Sequence, residues 1–213
     1  MERLHKWLFL KAVKGLGERS IKKLYLHFGD VSKIFEASSE ELESLIGKEK
    51  AKSLKEEELS FSPEEVIKVV EKEGIGFLTL DDQLYPKRLR EIEDPPPVLF
   101  YRGVLKTKGP FVAVVGTRNP EPYSVSFTKE TVKELVGMGF GVVSGGARGI
   151  DFLSHKYAVE FGGYTLCVLG MGILHLWKGL EKVIKERGAF LSEFLPWESP
   201  TEYAFPRRNR IIS

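Results

Sequence analysis

Apolar positions follow a helical period through the first sixty residues and change to short apolar runs after position 110. Leu4, Leu8, Phe9 and Val13 share one helical face; Gly15-Leu16-Gly17 interrupts it, and Ile21, Leu24, Tyr25 and Phe28 resume it. A helix that ends at Gly-Leu-Gly and is followed at once by another amphipathic helix predicts a helix-hairpin-helix pattern. A weaker echo follows in Leu42, Leu45 and Ile46, then Gly47-Lys48-Glu49-Lys50-Ala51 and Leu54. Such a hairpin can turn backbone N–H groups toward a nucleic-acid phosphate, or it can simply pack as an αα-hairpin. The run Lys55-Glu56-Glu57-Glu58 reads as a solvated helix face.

Ser62-Pro63-Glu64-Glu65 predicts an N-cap with proline at the first helical position, opening a helix to Lys72. Strands are expected at 76–80 and 98–101, joined through the extended connector Asp94-Pro95-Pro96-Pro97. From Phe111 the rhythm is strand, glycine loop, helix. Strands fall at 111–115, 140–144, 164–169 and 189–193, and helices near 123–137, 149–161 and 177–187. This βαβ alternation predicts an α/β fold built on a parallel, doubly wound sheet. Another helix is opening where the chain stops at Ile211-Ile212-Ser213, so the sheet is expected to be C-terminally incomplete. The expected domains are an all-α module at 1–60 and a Rossmann-like domain at 61–213.

With 213 residues the chain holds one large domain or two small ones, and 42% apolar content supports a core. No apolar run reaches a membrane-spanning length of about 20 residues, and the N-terminus lacks a signal-peptide pattern. Cys167 is the only cysteine, which excludes an intrachain disulfide or thiolate zinc site and favours the cytoplasm. It fits a small buried hydrophobe in the strand Tyr164-Thr165-Leu166-Cys167-Val168-Leu169. Net charge is only +2, so any basic footprint is local. Gln83, Asn119 and Asn209 are the only side-chain amides, while 29% of residues are charged, a balance that fits a thermophilic source.

Four segments carry candidate chemistry, each at the end of an apolar strand. They are Gly116-Thr117-Arg118, Ser144 to Asp151, Leu169-Gly170-Met171-Gly172, and Phe205-Pro206-Arg207-Arg208-Asn209-Arg210. In a parallel sheet these ends share one edge, where glycine lets backbone N–H groups approach an anion and a helix N-terminus favours negative charge. Arginines among the glycines point to phosphate. Neither glycine loop completes G-x-G-x-x-G, because Ser144 and His175 stand at glycine positions, and no Walker loop occurs. No cofactor is therefore expected. Ser144, Asp151 and His155 invite a hydrolase triad, but Val142 breaks the nucleophile-elbow pattern, and Asp151, His155 and Glu193 lack metal-ligand spacing. Neither catalysis nor a metal is expected.

Taken together, the segments resemble the DNA processing protein A (DprA/Smf) family. The likeness rests on Gly116-Thr117-Arg118 with Tyr123, Ser144-Gly-Gly-Ala-Arg-Gly-Ile-Asp151 with His155, Val168-Leu-Gly-Met-Gly172, Ser192-Glu193, and Phe205-Pro-Arg-Arg-Asn-Arg-Ile-Ile212. Tyr85-Pro86-Lys87-Arg88-Leu89 and Pro96-Pro97-Val98-Leu99 match its linking region. The resemblance implies an extended Rossmann domain preceded by a helix-hairpin-helix or sterile-alpha-motif module. It implies no catalysis, but binding of single-stranded DNA and loading of the RecA recombinase onto it, notably in natural transformation. Its site would be lined by Gly116, Arg118, Ser144, Gly145, Gly146, Arg148, Lys182, Arg208, Asn209 and Arg210. It also implies a homodimer whose surface lies in a part of the family's domain beyond position 213.

The chain departs from the family pattern at Ser124, at Leu176-Trp177, where Tyr-Pro is expected, and at Leu195-Pro196-Trp197. Trp177 can stack on a base or belong to the core. The runner-up reading is an enzyme acting on a nucleotide or phosphoribosyl substrate, as in the lysine-decarboxylase-like Rossmann group, whose P-G-G-x-G-T segment is absent here. A third is an interaction module with a hollowed pocket, which widely separated Arg118, Arg148 and Arg208 would support.

Overall fold

The computed structural model describes residues 1–213, which divide into two compact units, Met1–Leu99 and Phe100–Ser213. The first holds helices α1 (Glu2–Ala12), α2 (Glu18–Phe28), α3 (Val31–Glu36), α4 (Ser39–Ile46), α5 (Lys48–Lys55) and α6 (Pro63–Lys72). Strand β1 (Gly76–Thr79) and the short helix α7 (Lys87–Glu91) follow. Side-chain caps set several helix starts: Asp30 accepts from Ser32 N–H, Ser38 from Glu41 N–H, and Ser62 from Glu65 N–H with Pro63 at the first position. Leu4, Trp7, Leu8, Leu10, Ile21, Leu24, Ile34 and Leu42 form its fully buried interior.

The expected seam at 60/61 falls inside this first unit. α6 packs on α1, Arg3 pairs with Asp82 at 2.8 Å, and Lys22 Nζ donates to the carbonyls of Glu91 and Ile92. These ties hold residues 61–99 to the helices. The Pro95-Pro96-Pro97 connector is fixed by Tyr85, whose hydroxyl donates to Pro96 O at 2.9 Å.

Strand β2 (Val98–Gly103) opens in the first unit and ends in the second. The second continues with β3 (Phe111–Ala113), α8 (Pro122–Gly137), β4 (Gly141–Gly145), α9 (Ile150–Glu160) and β5 (Thr165–Val168). It closes with α10 (Lys178–Ile184), β6 (Gly188–Ser192) and α11 (Ala204–Ile212). The strand order is β1-β2-β6-β5-β4-β3. β3, β4, β5 and β6 are parallel neighbours, as the βαβ alternation requires, whereas β2 joins β6 antiparallel through Phe100 opposite Ser192. Val132, Val142, Tyr157 and Ala158 pack α8 and α9 against the sheet, and Cys167 lies fully buried in β5. Burial pushes the Cys167 thiol well above its ordinary pKa.

Candidate phosphate-binding site

The parallel strands carry the four segments to one edge, and backbone contacts knit them together. Ile150 N–H, the first of α9, donates to Thr117 O at 3.1 Å. Gly149 has φ +83°, and a Cβ there would stand 2.2 Å from Thr117 O and 2.7 Å from Arg118 Cα. Only glycine fits so close an approach. A Cβ on Gly145 would stand 2.6 Å from Asp151 Oδ2 and 2.7 Å from both terminal nitrogens of Arg208. Bare backbone there is what allows the carboxylate and guanidinium to sit side by side. Phe205, at the start of α11, packs against Gly170 and lies 5.9 Å beneath the Arg118 guanidinium.

Asp151 is buried in the first turn of α9 and accepts from Gly116 N–H at 3.4 Å. Burial raises its pKa, against the opposing pull of the Gly116 amide and of Arg208. Arg208, only 6% exposed, donates to Val168 O through Nη1 and to Asn209 Oδ1 through Nε at 3.2 Å. Glu193, fully buried, accepts from Arg207 Nε at 3.2 Å and from Arg210 Nη2 at 2.5 Å. Buried carboxylates thus face three of the five arginines gathered at this edge.

Ser144, Asp151 and His155 do not form a triad. The Ser144 hydroxyl donates to Val114 O at 2.6 Å. His155 is fully buried, with Nε2 2.9 Å from Gly145 O and Nδ1 2.6 Å from Thr165 Oγ1. A carbonyl only accepts, so Nε2 carries the proton, while Nδ1 lies against the Thr165 hydroxyl, which is also 3.0 Å from Val142 O. Burial holds the imidazole neutral, with its pKa lowered to about 4.

The expected site residues separate by exposure. Arg118 and Arg148 are exposed on the loops after β3 and β4, and neither is in an ion pair. Gly116 and Asn209 are exposed, Gly146 is half-buried, and Ser144 and Gly145 are buried. Arg208 lies inside and Arg210 is largely covered, its side chain 19% exposed. Lys182 is exposed in the last turn of α10, whereas that helix's Leu180 approaches the loops at Gly146. Trp177 is 39% exposed with its ring 5.3 Å from that of Phe152.

Arg207 belongs to the candidate segment 205–210 but not to the site that the resemblance implies, and its side chain is 44% exposed. The signal lies in helical phase: Ala204 and Arg208, four apart, share the buried face of α11, which turns Arg207 outward. Arg118 and Arg148 offer outward guanidinium groups beside a glycine-lined strand edge, and Arg207 adds a partly exposed one that is tied to Glu193 through Nε, an arrangement suited to phosphate oxygens.

Fold and site together define a Rossmann-like protein with a basic, glycine-lined strand edge. The family model for DNA recombination-mediator protein A matches residues 76–213, and the chain belongs to that family. Protein Smf of Synechocystis is 34% identical over 97% of this chain and 55% of its own length. The X-ray structure of DNA processing protein A from Streptococcus pneumoniae superposes with a TM-score of 0.82 at 30% identity, covering 98% of this chain and 74% of that one. A structure of DNA processing protein A from Helicobacter pylori, described for its single-stranded DNA binding mode, gives a TM-score of 0.56 at 31% identity over 64% of each chain. The chain spans about half the length of the curated relatives it matches. No helix is long and apolar enough to cross a membrane.

Proposed function

We propose that the chain binds single-stranded DNA through the basic loop edge and acts as a recombination mediator, helping to load RecA in the DNA processing of natural transformation. The observation that carries this reading is the grouping of exposed Arg118, Arg148 and Arg207 beside Gly116 and Gly146. Guanidinium groups and loop amides meet phosphates without reading base edges, which gives affinity with little sequence preference. The relatives' names and the Helicobacter pylori protein's single-stranded DNA binding mode support it. Arg208 and Lys182 take lesser parts in this scheme: Arg208 braces the site from within, and Lys182 extends the basic surface along α10. In this reading the protein works in the cytoplasm, without metal or cofactor. The nucleotide-enzyme reading is the weaker one, since His155, the obvious acid–base group, is enclosed and hydrogen-bonded on both nitrogens.

Titration of a fluorescent single strand and its duplex at two salt concentrations tests the reading. The single strand should bind more tightly, with log K falling against log salt by about 0.7 per phosphate neutralised. Equal affinity for duplex, or binding indifferent to salt, refutes it.

A further inference from the structure

The loop after β3 has a second side. Between it and the first turns of α8 lies a concavity of about 260 Å³, bordered by Val115, Gly116, Thr117, Tyr123, Phe127 and Ile150. It is smaller than the roughly 300–1,000 Å³ of pockets that hold drug-sized molecules. Tyr123 and Phe127 are four residues apart on α8 and so share one face. Their rings stack with centroids 6.3 Å apart and planes inclined by 21°. Both are strongly exposed, at 77% and 63%, and Val115 beside them is 60% exposed. Large apolar groups gathered in the open at a concavity mark a surface built to be covered.

The neighbouring chemistry selects what covers it. Gly116 borders this concavity and also belongs to the phosphate-binding edge; a Cβ there would stand 2.8 Å from Ile150 Cβ, so the backbone lies directly on the pocket floor. Arg118, two residues on, is exposed and cationic. Ser124 and Thr131 add polar groups to the lining. A ligand with a flat π-face, polar edges and an adjoining anion meets all of these at once. We propose that this concavity is a nucleobase site, in which Tyr123 stacks on a base whose phosphate lies at Arg118. The proposal rests on the single-stranded DNA reading and deepens it. A duplex keeps its bases paired and stacked, so only an unpaired base can enter, and the site would contribute to the preference for single strands.

Tyr123→Ala, Tyr123→Phe and Arg118→Ala, each titrated with a single strand and with the same strand made abasic, test the assignment. Tyr123 is exposed, so its truncation leaves the fold intact. Tyr123→Ala should weaken binding of the intact strand by about 5- to 150-fold, the effect of losing one stacked base, without changing the salt slope. Tyr123→Phe should bind like the parent, and parent and Tyr123→Ala should bind the abasic strand alike. If Tyr123→Ala binds the intact strand as the parent does while Arg118→Ala weakens it, the base site is refuted and the phosphate site stands. If Tyr123→Ala instead lowers the mass measured by light scattering and leaves DNA affinity unchanged, the aromatic face joins copies of the chain, and the base site is again refuted. If the parent binds no single strand, both readings fall.

Discussion

Replacing Arg208 by methionine separates a brace from a ligand. Arg208 is 6% exposed, its guanidinium bound to Val168 O and set beside Asp151 at the bare backbone of Gly145. Methionine keeps an apolar stem but strands the Asp151 carboxylate. Losing the Arg208 bond leaves the buried Val168 carbonyl without that donor, which costs about 1–3 kcal/mol, a sizeable share of the roughly 5–15 kcal/mol that holds a domain folded. Asp151 also sets a pH dependence. Its folded pKa is already raised above the ordinary 3.8, so ionising it costs stability as pH climbs from that value through the folded one. Loss of Arg208 removes a lowering influence, raises the folded pKa further and extends that cost upward in pH. Urea unfolding at about pH 5 and about pH 8 reads both effects. The Arg208→Met midpoint should fall at both, and further at the higher pH, while DNA affinity per folded molecule changes little. Arg207→Ala should weaken DNA binding and lower the midpoint by less than Arg208→Met, because Arg210 still pairs with the buried Glu193. If Arg208→Met unfolds like the parent at both pH values yet loses affinity for single strands, the bracing role is wrong and Arg208 is a phosphate ligand.

Gly149→Ala should destabilise the second unit by about 3–5 kcal/mol, from a strained positive φ and overpacking. Its Cβ would overlap Thr117 O, so a urea midpoint close to the parent's would contradict the close approach. Arg118→Ala and Arg148→Ala should each leave thermal melting unchanged and reduce the salt slope of single-strand binding by about 0.7; lost folding with unchanged affinity would make them structural. His155, with its pKa lowered from 6.5 to about 4, should cost the fold about 3 kcal/mol as pH falls through that window. The unfolded chain takes the proton first, so stability declines with acid, and His155→Gln should flatten this decline in urea titrations; an equally steep decline would place the acid sensitivity elsewhere.

The βαβ unit was legible because the runs at 111–115, 140–144 and 164–169 led into glycine loops, and α8 and α9 opened with a proline or an acidic residue, all local signals. The helix at Pro63 and the strand at Gly76 follow the sequence for the same reason. Helix α7 was not foreseen: five residues after Pro86 leave too short a period to detect. The antiparallel entry of β2 depends on pairing with Ser192, over ninety positions away, and no local pattern encodes it. In the site, Arg118 and Arg148 were readable as loop cations. Which guanidinium of Arg207-Arg208 faces inward depends on the phase of α11 against the strand ends, and the composition of the segment is silent on that. Glu193 pairs with Arg207 and Arg210, fourteen and seventeen positions on, a link no local spacing announces.

The hydrogen bond from His155 to Gly145 O also fixes a direction. All peptide bonds are trans, and across a trans peptide the carbonyl and the next N–H point opposite ways. An imidazole gripping the Gly145 carbonyl from within therefore aims the Gly146 N–H away from the interior, as a stationary dipole. A peptide free to rotate would surrender about 1–2 kcal/mol of conformational entropy per residue on seizing an anion. Here that loss is incurred when the chain folds and need not recur at each encounter. On the proposed single-stranded DNA reading, a histidine that never meets the ligand would raise affinity by keeping the loop still.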